Sequence, residues 1–83
     1  MTKYYLIAID KTDIDMIYVY TSDIDGYVKW RNWAMLEHID KVNTDVPLQT
    51  LKKRYNKRGI HKLNRTQYNF EIMTEVELVA LLL

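Results

Sequence analysis

The stretch DIDGYVKWRNWAMLEHIDKVN, residues 23–43, decides the fold because it can be read at two periods. On a helical wheel Ile24, Tyr27, Val28, Ala34, Met35, Ile39 and Val42 share one broad face, which predicts a helix over residues 26–42. Trp30, Trp33 and Leu36 fall outside that stripe. The competing reading makes GYVKW a short third strand and starts a shorter helix after it.

Upstream, YYLIAI (4–9) and MIYVYT (16–21) are rich in β-branched and aromatic residues on both alternating faces, as in strands near the middle of a sheet. The six residues DKTDID join them, a link short enough for an antiparallel hairpin and too short for a parallel crossover. Downstream, Pro47 suits the first turn of a new helix. Leu48, Leu51 and Tyr55 then line one apolar face up to about Arg58, and Gly59 supplies a stop. QYNFEIM (67–73) alternates, with Tyr68, Phe70 and Ile72 on one side, and reads as a half-buried strand. Thr74 and Glu77 form a T-x-x-E capping box, which predicts a helix from Glu75 onward that must dock to be stable. Continued strand alternation through Val76 and Leu78 is the alternative for that last segment.

The expected fold class is therefore α+β: a small antiparallel sheet of about three strands with two to three helices, in the order ββααβα. Eighty-three residues predict a single small domain over 1–83 with little room for a deep substrate pocket. There are no cysteines, so disulfides and thiolate metal sites are excluded. The N-terminus lacks a cleavage-site pattern, and the longest apolar run, LVALLL, is far short of the roughly 20 residues that span a bilayer. The expectation is a cytoplasmic protein without membrane contact.

Net charge is +1, but it is unevenly spread. Residues 1–45 hold five Lys/Arg against eight Asp/Glu, and residues 46–83 hold seven against three. The basic half concentrates its cations at Lys52, Lys53, Arg54, Lys57, Arg58, Lys62 and Arg65, with no acidic residue between Val46 and Phe70. Such a cluster would neutralise phosphates and release counterions, giving salt-sensitive, sequence-tolerant binding. Tyr55 or Tyr68 could add base stacking, although the wheel assigns Tyr55 to the core. Lys53 with Lys57, and Arg54 with Arg58, are like-charge i,i+4 pairs costing about a few tenths of a kcal/mol each. That favours a functional reading, while the helix dipole offers a plain structural reason for cations near a helix C-terminus.

Other features carry less. DKTDID and SDIDG each contain D-x-D, but neither completes a calcium loop, and turn and cap chemistry accounts for these aspartates. Trp30 and Trp33 suit either a protein interface or the core. The apolar C-terminal helix is either buried or part of a homodimer contact.

Catalytic parts are sparse: one serine, two separated histidines and two glycines that form no phosphate loop. The spacing of Arg54 and His61 resembles the R-x(4–6)-H motif of the HEPN ribonucleases over those two residues. That resemblance implies an all-helical fold and a ribonuclease with His61 as general base, whereas this chain reads as strand-containing. No residue pattern asks for a cofactor or metal.

The expectation is a non-enzymatic binding protein that engages nucleic acid or a ribonucleoprotein through residues 52–65. Small size and charge asymmetry suit a phage or mobile-element accessory protein, for example an inhibitor of a host nuclease of the anti-CRISPR kind. The alternatives are a protein-interaction or homodimerising module built on Trp30, Trp33 and the last helix, and a small ribonuclease toxin.

Overall fold

A computed structural model describes residues 3–21, 23–24, 26–42, 47–56, 63 and 66–83. Four strands form one antiparallel sheet: β1 (Tyr4–Asp10), β2 (Met16–Thr21), β3 (Gly26–Arg31) and β4 (Tyr68–Thr74). Among the described residues three helices accompany them, α1 (Asn32–Glu37), α2 (Leu48–Asn56) and α3 (Glu75–Leu82), with a 3-10 turn at Ile39–Lys41. The spatial order is β3-β2-β1-β4. The α+β class stands, with a fourth strand added to the three expected.

That strand is the correction. The helix expected over residues 26–42 does not form; Gly26–Arg31 pairs with β2 instead, Val28 opposite Val19 and Trp30 opposite Ile17. The helix begins only at Asn32, where its backbone N–H donates to Asp15 O at 3.0 Å. Strand pairing prevails because Val28 and Trp30 then share a sheet face with Ile17 and Val19. A helix through Trp30 would have left that ring outside the apolar stripe. Ile24, counted on the helical face, is 63% exposed in the turn before β3.

Strands β1 and β2 take the two central places, as their two-sided apolar character requires. Residues alternate across the sheet, so β1 feeds two cores. Tyr5 and Ile7 join Ile17, Val19, Met35, Val42, Leu78 and Leu82 beneath α1 and α3. Leu6 joins Tyr20 and Leu51 beneath α2, with Tyr4, Tyr27, Tyr55 and Ile72 packed around them. Trp30 belongs to the first core, where its ring centroid lies 6.4 Å from that of His38.

The last segment is helical rather than a strand continuation. Glu77 N–H donates to Thr74 Oγ1 at 3.3 Å, and Thr74 N–H donates back to Glu77 Oε1 at 3.0 Å, closing the capping box. These bonds, from the Thr74 N–H first and its hydroxyl second, hold the Glu77 carboxyl below its ordinary range. Asp10 is lowered in the same way by the N–H and hydroxyl of Thr12, at 2.9 and 2.8 Å. Both groups stabilise the fold above the ordinary carboxylate pKa, and that contribution is lost as pH falls through their lowered values.

Thr74→Ala is expected to cost about 1 kcal/mol at neutral pH, read by urea denaturation. Glu77→Gln removes a titrating group whose ionised form the fold favours, so its melting temperature should fall less than the parent's on acidification. An equal fall would show that Glu77 contributes nothing to the acid response.

Candidate nucleic-acid interface

Helix α2 carries three of the seven cations singled out in the sequence. Its first bond, Leu51 N–H to Pro47 O at 3.1 Å, makes Pro47 the entry to the helix. Leu51 and Tyr55 turn inward against Leu6 and Tyr20. That orientation sends Lys52 and Lys53 to solvent, while Arg54, on the flank opposite Lys52, is half-buried. Lys57, Arg58, Lys62 and Arg65 lie outside the described residues, as does His61.

Lys52 borders a groove of about 580 Å³ along the β4 edge, between α2 and the start of α3. Glu71 and Glu77 line the same groove, so its charge is mixed and it makes a poor track for phosphates.

The face that α2 partly covers is unusually aromatic. Tyr18 and Tyr20 of β2, Tyr27 of β3, and Tyr68 and Phe70 of β4 all point to it, by alternation with the residues of the opposite core. Tyr18 and Tyr68 meet edge to face at 5.3 Å, Tyr20 and Tyr27 at 5.9 Å, and Tyr27 and Phe70 at 5.9 Å. Lys29 Nζ lies 5.9 Å from the Tyr18 centroid, within cation–π range. Tyr18, Tyr27, Tyr68 and Phe70 are only half-buried. Desolvation, then hydrogen bonding with Tyr18, raises the Tyr68 phenol above its ordinary range and keeps it neutral. Asp10 adds to that rise from the same face.

Ala8 makes the ring cluster geometrically available. It pairs with Tyr18 on one side and Phe70 on the other, and is fully buried. Tyr27 and Phe70 stand on the two edge strands, yet their ring centroids come within 5.9 Å over the central strands, where Ala8 beside Phe70 bears only a methyl group. Sequence reasoning named Tyr68 and Tyr55 but missed Tyr18, Tyr27, Phe70 and Lys29. The available signal was the tyrosine at every second position of MIYVYT, opposite its aliphatic residues.

Trp30 and Trp33 separate: Trp30 packs against the core, while Trp33 is 64% exposed on α1. The aspartates of the first hairpin serve its turn, Asp10 accepting from Thr12 and Asp13 Oδ1 from Asp15 N–H at 3.2 Å. Among the described residues no cluster of three metal-ligating side chains occurs, and no helix is long and apolar enough to cross a membrane.

Ala8→Leu should force the Tyr27 and Phe70 rings apart and cost about 1–3 kcal/mol by overpacking. Urea denaturation with ring-proton NMR reads both effects; unchanged stability and unchanged ring shifts would contradict the packing described.

Comparison with family models, curated proteins and solved structures finds no match to this chain.

Proposed function

We propose that this is a non-enzymatic binding protein whose ligand is single-stranded nucleic acid, laid across the aromatic sheet face with its phosphates toward α2. The observation that carries this reading is the coincidence of two features on one face. The basic helix α2 packs on the same side of the sheet that presents Tyr18, Tyr27, Lys29, Tyr68 and Phe70.

Sequence-tolerant strand binding needs a cationic border that tracks the backbone and rings on which bases stack. Lys52, Lys53 and Arg54 supply the first, with Lys29 among the rings. Half-exposed tyrosines supply the second. A duplex hides its base faces, so the aromatic component favours a single strand. An accessory protein acting on a ribonucleoprotein, such as an anti-CRISPR-type inhibitor, would use the same surface against an exposed guide or target strand.

The test is fluorescence anisotropy with labelled single- and double-stranded oligonucleotides over a range of salt. The reading predicts tighter binding to the single strand, with log K falling by about 0.7 per decade of salt for each phosphate engaged. Replacing Lys52, Lys53 and Arg54 with Glu should abolish binding and leave the fold intact. Tyr68→Ala should weaken the single-strand complex by about 1–3 kcal/mol without changing the salt slope. No binding at low salt would reject the proposal. RNA cleavage that disappears in His61→Ala would replace it with the ribonuclease reading.

A further inference from the structure

On the opposite side of the sheet a second surface is left open at the hairpin end. Ile14 is 76% exposed, Trp33 64% and Leu81 42%, and they come from three elements: the β1–β2 turn, α1 and α3. They are contiguous. Ile14 and Leu81 border a hollow of about 300 Å³ whose lining includes Ile9 and Ile17. Trp33 stands beside it over Leu82, and Asp15 and Asn32 form the wall common to both places.

The surface is held in place rather than loosely exposed. Asn32 Nδ2 donates to Ile14 O at 2.9 Å, and Asn32 N–H donates to Asp15 O. The turn carrying Ile14 is thereby fixed to the first residue of α1, next to Trp33. A surface already in its bound shape loses little conformational freedom on association.

What this surface carries decides its occupant. A two-fold interface uses one patch twice, so the patch must contain both halves of every contact. Here a projecting indole lies next to an apolar hollow. Asp15 and Arg31 flank Trp33, and among the described residues neither side chain has an ion pair. Knob with hole and acid with base are both present on a single face. We infer that this face is the interface of a symmetric dimer, in which Trp33 enters the partner's hollow and Asp15 meets the partner's Arg31.

The inference does not depend on the nucleic-acid reading, since the two surfaces lie on opposite sides of the sheet. If both hold, the dimer presents two aromatic faces outward, and a strand long enough to reach both binds with the gain of a tethered second site.

Sedimentation equilibrium of the full chain from low to high micromolar concentration tests it. The expected mass rises with concentration from 10.0 kDa toward twice that value. Trp33→Asp should raise the dissociation constant at least about thirtyfold while leaving the circular dichroism unchanged, and the melting curve unchanged at concentrations where both proteins are monomeric. Should that variant fail to fold, Ile14→Asp on the exposed turn gives the same reading. Asp15→Arg and Arg31→Asp should each weaken the dimer, and the two together should restore it, which nonspecific adhesion would not do. A monomer throughout, a dimer indifferent to Trp33→Asp and Ile14→Asp, or a charge swap without recovery would each overturn the inference.

Discussion

Everything in this fold depends on β1 having no face turned to water. Tyr5, Leu6, Ile7 and Ala8 are all essentially inaccessible, so each side of the strand needs a cover. Burial of Leu6 and Ile7 is worth about 1.5–3 kcal/mol apiece. An eighty-three-residue chain can supply that cover only by placing β1 between two other strands and setting helices on both sides. The pairing of β1 with β4 as well as β2 follows from this. So does the division of labour among helices: α1 and α3 close one core and α2 the other.

The two faces differ in what the described residues place on them. Among the described residues α1, α3 and the 3-10 turn pack on the first face and α2 on the second. Tyr18, Tyr27, Tyr68 and Phe70 complete that second face without becoming fully buried. Their rings pack against one another edge to face, and the Tyr68 hydroxyl is hydrogen-bonded with Tyr18. The proposed stacking of bases would use these rings, and Ala8, flanked by Tyr18 and Phe70, adds only a methyl group among them. The packing of basic α2 on this face sets its cations beside the aromatic rings.

Much of this was legible from the residues alone. The central hairpin followed from the two-sided apolar runs of β1 and β2, β4 from the alternation of Tyr68, Phe70 and Ile72, and α3 from Thr74 and Glu77. Residues 26–31 were not legible, because Tyr27 and Val28 fit a helical face as well as a strand, and only pairing with β2 decides between the two. Trp30 was the discordant residue: outside the helical stripe, but inside the core once its neighbours alternate. The aromatic face was hidden for a different reason. Tyr18 and Phe70 are distant in sequence and become neighbours across Ala8 only through the register of three strands. The Trp33 surface likewise needs the turn, α1 and α3 assembled before its hollow exists.

The central claim is that the α2-covered sheet face is the working surface. Residue-resolved NMR of the labelled protein titrated with a short single-stranded oligonucleotide tests it most directly. The account predicts shifts concentrated at Tyr18, Tyr27, Lys29, Tyr68, Phe70 and the α2 cations, with the α1 and α3 face unmoved. Shifts confined to Ile14, Trp33 and Leu81, or the absence of any, would contradict it.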